Sequence, residues 1–160
     1  ERRFSSLCFG NIKVPQSADV SSGEAVLSSR EVARAARLAI EVAYQRLTMG
    51  DAILLFAEGR RSRVRSLQPM LPGAGRYLEG PLAWVLPVAL TGSENIFPID
   101  GSRICPGRVV MQIGEPIRAS VLLARTGSDR KDAMDLVGKR IAELLPESYR
   151  GVYGTAARGL

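Results

Sequence analysis

The feature that most constrains the fold is an apolar run, Ala52–Phe56, which is followed at once by the segment AEGRRSR (57–63). A strand that is apolar at every position is typical of burial on both faces, as in a sheet covered by helices. In open α/β sheets, ligands bind at the carboxyl ends of the strands. The sequence therefore predicts a buried strand that leads into an arginine-rich binding loop.

Strand-like and helix-like segments follow one another along the rest of the chain, which predicts an α/β domain. A second apolar run, Trp84–Leu90, contains Pro87, and a proline inside a strand favours an edge position or a bulge. We therefore expect a mixed, largely parallel sheet flanked by helices. Ser28 and Glu31 form a capping-box pattern that predicts the start of the first long helix. That helix is predicted at 28–48. Further strands are predicted at 7–14 and 108–113, and further helices at 73–78 and 128–145.

At 160 residues the chain fits one domain. We assign residues 1–146 to that domain and residues 147–160 to a flexible C-terminal tail. Because the sequence begins with Glu1 rather than methionine, we interpret the domain as incomplete at its N-terminus. The net charge is +6 and comes mostly from arginine. This charge fits nucleic acid, anionic lipid headgroups or phosphorylated small molecules as partners, and genomic base composition is an alternative explanation of the arginine excess.

The loop after the predicted strand has the chemistry of an anion-binding site. Guanidinium groups bind phosphate through paired hydrogen bonds, and a glycine lets the backbone approach a ligand closely. A carboxylate beside them would accept a hydrogen bond from a substrate hydroxyl. The loop matches neither the P-loop nor the dinucleotide-binding pattern, and a solvated basic loop is the alternative interpretation. The candidate binding residues are Glu58, Gly59, Arg60, Arg61 and Ser62.

The chain contains no histidine. Imidazole is the usual general base near neutral pH, so the sequence offers no candidate catalytic residue of that kind. Cys8 and Cys105 are far apart and do not have the spacing of a metal site. We therefore expect neither a metal nor a cofactor.

The segment FAEGRRSR (56–63) resembles the F-P-E-G-T-R-S block of the glycerol-phosphate and lysophospholipid acyltransferase family. Other segments are similar to further blocks of that family, and they occur in the same order along the chain. These segments are GNIKVPQ (10–16), the pair Gly73–Ala74, VLPV (85–88) and GEPI (114–117). The resemblance covers residues 4 to 145, and its central block is the most specific.

This resemblance implies a function in phospholipid biosynthesis. A fatty acyl group would move from acyl-CoA or acyl-carrier protein, as co-substrate, to a hydroxyl of a glycerol-phosphate or lysophospholipid acceptor. The five candidate residues of the loop would bind the acceptor, and Pro87 would shape the wall of the pocket. Members of this family use the histidine of an H-x4-D block as the base. Because this chain has no such block, we predict that it is inactive on its own.

The chain departs from the family pattern at Gln16, Ala57 and Arg60, where the family has Arg, Pro and Thr. These differences leave the identity of the acceptor open. A non-catalytic module that binds phospholipid or phosphate is therefore the alternative function.

The lipid product that the resemblance implies also suggests where the protein acts. We expect it in the cytoplasm, associated peripherally with the inner face of the membrane. Arg30, Arg34 and Arg37 lie on one side of the first predicted helix, where they would contact anionic lipid or form a solvated face. A basic nucleic-acid-binding domain is a third hypothesis, but no RNA-binding motif is present and we expect no nucleic-acid partner.

Overall fold

The computed structural model describes residues 28–60, 62, 64–80, 83–96, 98 and 103–154. The chain divides into two compact units, Glu1–Ile53 and Leu54–Leu160. The predicted strand at 7–14 lies outside the described residues.

In the first unit, the described residues form one long helix, α1 (Ser29–Thr48). The Ser28 hydroxyl accepts a hydrogen bond from the Glu31 N–H at 3.3 Å, and the Glu31 carboxylate accepts one from the Ser28 N–H at 2.7 Å. The predicted capping box is thus confirmed. The helix ends before Gly50, whose φ of +88° is a conformation that favours glycine.

The described residues of the second unit form mainly short helices and helical turns, with four short strands. Its strands are β1 (Trp84–Val85), β2 (Val88–Thr91), β3 (Val110–Ile113) and β4 (Ile117–Arg118). Its α-helices are α2 (Ser93–Ile96), α3 (Ala119–Arg125) and α4 (Arg130–Glu143). Its 3₁₀ segments are Pro72–Glu79, Glu147–Tyr149 and Gly151–Tyr153.

The predicted mixed, largely parallel sheet is wrong. The described strands form two separate antiparallel pairs, β1 with β4 and β2 with β3. A parallel pair needs a crossover connection of a dozen or more residues, usually a helix. Between β2 and β3, the described residues contain only the four-residue helix α2, and the chain returns antiparallel. Leu86 and Pro87 separate the second apolar run into β1 and β2. Pro87 has no N–H and therefore cannot donate a hydrogen bond within a sheet.

The predicted strand Ala52–Phe56 is also absent, since these residues adopt no regular structure. Leu54 and Phe56 are 80% and 71% exposed instead of buried. A continuous apolar run becomes a buried strand only where other strands pair with it and helices cover both faces. No described strand pairs with these residues, and this accounts for the failure of the prediction.

The core of the second unit lies where α4 packs against the 3₁₀ helix Pro72–Glu79 and α3. Gly75 permits close packing there, because a Cβ at that position would lie 2.8 Å from the Arg130 Cβ. Arg130 also donates through Nη2 to the Glu79 carboxylate at 3.1 Å. The large side chains of this core are Met70, Leu78, Leu122, Met134, Val137 and Tyr153.

Among the helices within the described residues, none combines the length and the apolar character needed to cross a bilayer.

Candidate functional site

A tight turn at residues 56–59 begins the candidate binding loop, which is the basic loop of residues 57–66. The Gly59 N–H donates to the Phe56 carbonyl at 2.9 Å, and Gly59 has a φ of +69°. That conformation favours glycine, and a Cβ would lie 2.8 Å from Cδ2 of Leu71. Gly59 is therefore needed for the turn itself, and its contact with a ligand remains a prediction.

The turn is joined to the segment Leu67–Leu71, which follows the basic loop. The half-buried Glu58 carboxylate accepts a hydrogen bond from the Gln68 N–H at 3.0 Å. The Ala57 carbonyl accepts one from the Leu71 N–H at 2.8 Å. These two bonds close the loop at its base and hold the Ala57 carbonyl and the Glu58 side chain in place.

The same segment is also bonded to the C-terminal turns Glu147–Tyr149 and Gly151–Tyr153. The Leu67 N–H donates to the Tyr149 carbonyl at 2.9 Å, and the Val152 N–H donates to the Leu67 carbonyl at 3.3 Å. The Met70 N–H donates to the Tyr153 hydroxyl at 3.0 Å. Residues predicted as part of a flexible tail are thus hydrogen-bonded to the base of the candidate loop.

Ser62 makes its hydrogen bonds within the loop. Its Oγ donates to the Val64 carbonyl at 2.6 Å and lies 3.2 Å from the Val64 N–H. The hydroxyl has only one proton, so this arrangement uses its donor in shaping the loop. The predicted contact of Ser62 with an acceptor would have to use the remaining lone pair or replace the bond to Val64.

The structure describes two of the arginines in the basic segment. Arg60 is exposed, and no hydrogen bond or ion pair joins it to another described residue. Arg65 donates to the Asn95 side chain at 3.4 Å. Arg61, predicted to bind the acceptor, and Arg63 lie outside the described residues.

A carboxylate partly offsets the charge of Arg65. The Tyr149 hydroxyl donates to Glu94 at 2.6 Å, and this bond lowers the pKa of Glu94 and raises the pKa of Tyr149. Arg65 lowers the pKa of Glu94 further through its charge. Since Arg65 interacts with this carboxylate through its charge and donates to Asn95, Arg60 is the more available of the two described cations for an added anion.

Pro87 lines a groove of about 490 Å³, and its part in an acceptor pocket remains a prediction. None of the described residues between 57 and 66 lines this groove, so the described part of the basic loop and the groove do not share a cavity. The other lining residues are Ile113, Gly114, Glu115, Ile117, Arg140, Glu143 and Leu144.

Sequence reasoning missed the part that Tyr149 and Tyr153 play beside the loop. The available signal was two of the four tyrosines, placed four residues apart near the C-terminus. A tyrosine that buries its ring usually finds a hydrogen-bond partner for its hydroxyl. One partner of the Tyr153 hydroxyl, the Met70 N–H, is 83 residues away in sequence, and no local pattern identifies it.

Within the described ranges, no group of three or more His, Cys, Asp or Glu side chains is arranged to hold a metal ion. Comparisons of the chain with models of known protein families, with curated proteins and with solved structures found no match. The resemblance to the acyltransferase blocks therefore remains a prediction from the sequence motifs.

Proposed function

We propose that the basic loop, residues 57–66, binds the phosphate of a glycerol-phosphate or lysophospholipid acceptor, as the acceptor-binding part of an acyltransferase. The proposal rests on one observation: a turn held by hydrogen bonds lies next to an exposed cation. Glu58 is held by the Gln68 N–H at 3.0 Å, while Arg60, two residues later, is exposed and makes no described ion pair. Less conformational freedom is then lost when a ligand binds, because the turn is already fixed.

The side chains of the loop suit the two ends of such an acceptor. A guanidinium group recognises a phosphate through charge-assisted hydrogen bonds. A carboxylate accepts a hydrogen bond from an alcohol, which is the group that would be acylated. Glu58 and Arg60 therefore offer complementary chemistry at neighbouring positions.

Acyl transfer also requires a base to take the proton of the attacking hydroxyl. The chain has no histidine, and a carboxylate with an ordinary pKa of about 4 is a poor base for an alcohol. We therefore expect these 160 residues to bind the acceptor without turnover. A binding module that never transfers an acyl group is the alternative function.

Calorimetric titration with glycerol 3-phosphate tests the proposal, with glycerol as the ligand control. Arg60→Gln should weaken binding by roughly tenfold or more, since a hydrogen bond to a charged group contributes about 1.5–3 kcal/mol. Arg125→Gln removes another exposed arginine, outside the loop, and should leave the affinity unchanged. Failure of the natural chain to bind glycerol 3-phosphate, or equal weakening by both variants, would overturn the proposal.

Release of coenzyme A from acyl-CoA in the presence of the acceptor distinguishes the two functions. Binding without release agrees with the expected inactivity of this chain. Release by the chain alone would contradict it.

We also propose a peripheral contact between α1 and an anionic bilayer. Arg30, Arg34 and Arg37 are exposed, and no described residue forms an ion pair with them. Leu38 and Val42 are 52% and 41% exposed beside this basic face. An exposed apolar edge next to arginines suits a lipid surface better than nucleic acid, because lipid offers both negative charge and an apolar layer.

A further inference from the structure

The core of the second unit holds the Tyr153 side chain in one position. The residue is 5% exposed, and its ring lies over Gly138, where an added Cβ would approach Cζ to 2.5 Å. The hydroxyl donates to the Asp135 carboxylate at 2.9 Å and accepts from the Met70 N–H at 3.0 Å. The hydroxyl therefore joins α4 to the segment that leaves the basic loop.

The hydrogen bonds of the segment Leu67–Leu71 follow a simple division. The N–H groups of its first and fourth residues, Leu67 and Met70, donate to the C-terminal turns, at Tyr149 and Tyr153 respectively. The N–H groups of its second and fifth residues donate to the turn, at Glu58 and Ala57 respectively. The third residue is Pro69, which has no N–H. Every N–H of this segment is thus used to link the C-terminal turns with the turn that begins the candidate loop.

We propose that Tyr153 is a positioning residue for the basic loop, acting through Met70 and Gln68 on Glu58. Its hydroxyl fixes the distance between α4 and the segment Leu67–Leu71. The Gln68 N–H of that segment in turn fixes the Glu58 carboxylate. The effect of Tyr153 on ligand binding rests on the proposed function of the loop. Its effect on loop geometry does not.

The surroundings of the hydroxyl support this assignment. Burial is the main reason that the pKa of Tyr153 rises to about 12, with a further contribution from the hydrogen bond to Asp135. The hydroxyl therefore keeps its proton at neutral pH and can donate to Asp135 while it accepts from Met70.

Amide hydrogen exchange followed by NMR tests the effect on geometry in the intact chain. Tyr153→Phe keeps the ring over Gly138 and removes only the hydroxyl. We expect exchange at Gln68 and Leu71, neither of which bonds to Tyr153, to become at least tenfold faster. Amides in the middle of α4 should keep their protection. Faster exchange at Met70 alone would overturn the proposal, and so would an equal increase throughout α4, which indicates only a loss of global stability.

Two further variants sharpen the test. Gly138→Ala adds a methyl group beneath the Tyr153 ring, displaces the ring and should reproduce the exchange pattern of Tyr153→Phe. If Gly138→Ala does not fold, the result for Tyr153→Phe decides the test. Tyr77→Phe removes the hydroxyl of a different, half-buried tyrosine, for which no described residue is a hydrogen-bond partner, and should leave exchange at Gln68 and Leu71 unchanged. Equal acceleration by Tyr77→Phe and Tyr153→Phe would count against a specific role for Tyr153.

Titration with glycerol 3-phosphate tests the effect on binding. Tyr153→Phe should weaken binding about threefold or more, at a temperature well below the midpoint of its unfolding. An unchanged affinity, with the natural chain binding normally, would contradict the role in binding. If the natural chain does not bind glycerol 3-phosphate, the proposed function fails, and the exchange pattern still decides whether Tyr153 positions the loop.

Discussion

The carboxylate of Glu58 accepts a hydrogen bond from the backbone N–H of Gln68 at 3.0 Å, across ten residues of sequence. A charged acceptor strengthens such a bond, and half-burial makes its loss more costly than at a fully exposed position. The residue predicted to contact a substrate hydroxyl therefore also has a structural part in the loop. Substitutions at Glu58 need to separate these two roles.

We expect Glu58→Ala to lower the free energy of unfolding by about 1–2 kcal/mol, because the Gln68 N–H loses its partner. Glu58→Gln retains an oxygen that can accept this bond, and should cost less than about half as much. Urea unfolding of the two variants measures the difference. Equal losses would show that the charge of Glu58, and not the hydrogen bond, supports the fold.

The stability of the second unit should fall at high pH because of Tyr153. Its pKa is about 12 in the folded chain against an ordinary value of 10.0, so the folded state holds the proton more tightly. This contribution is complete below pH 10 and is lost as the pH rises through about 12. The difference in unfolding free energy between the natural chain and Tyr153→Phe should therefore shrink from pH 9 to pH 12. Denaturant unfolding at those two pH values provides the measurement, and a constant difference would contradict the expected titration.

The sequence predicted the long helices well, because their signals are local. Ser28 and Glu31 cap α1 as expected, and Asp129 caps α4 by accepting from the Asp132 N–H at 2.9 Å. Each of these caps depends only on residues that lie within four positions of one another in the sequence. Composition and periodicity therefore sufficed for these helices.

The strands were predicted less well because a strand depends on partners elsewhere in the chain. The run Ala52–Phe56 has the composition of a buried strand, yet no described strand pairs with it. The hydrogen bond between Met70 and Tyr153 likewise joins residues far apart in sequence. The turn at Gly59 was predictable from one residue type, whereas the bonds that brace it from the C-terminal side were not.

Two glycines in the 3₁₀ helix Pro72–Glu79 allow a matched test of packing. A Cβ on Gly75 would meet the Arg130 Cβ at 2.8 Å and its carbonyl oxygen at 3.0 Å, whereas one on Gly73 meets nothing within 4 Å. We expect Gly75→Ala to destabilise the fold by about 1–3 kcal/mol through overpacking. Gly73→Ala should be neutral or slightly stabilising, by up to about 1 kcal/mol, because it restricts the unfolded chain. Thermal unfolding compares the pair, and similar midpoints would mean that α4 does not pack here as closely as described.

The contact of α1 with lipid makes a prediction about charge at specific positions. Replacing Arg30, Arg34 and Arg37 together by Gln should weaken binding to vesicles containing phosphatidylglycerol by roughly 100-fold, since each arginine near an anionic surface contributes about 1 kcal/mol. Flotation or cosedimentation with vesicles at fixed salt measures this loss. A control variant with three other exposed arginines replaced by Gln has the same net charge; these are Arg103, Arg108 and Arg125. The control should bind nearly as well as the natural chain.

The apolar edge of the same helix separates lipid from other anionic partners. Leu38→Ser with Val42→Ser leaves the charge unchanged and removes exposed apolar surface, so it should weaken binding to vesicles but not to random duplex DNA. If the triple arginine variant of α1 and its control variant lost vesicle binding equally, binding would depend on net charge and not on the positions of the arginines. Tight, steeply salt-dependent binding to DNA with none to vesicles would instead identify the basic face of α1 as a nucleic-acid surface, because exposed arginines alone suffice for phosphate backbones.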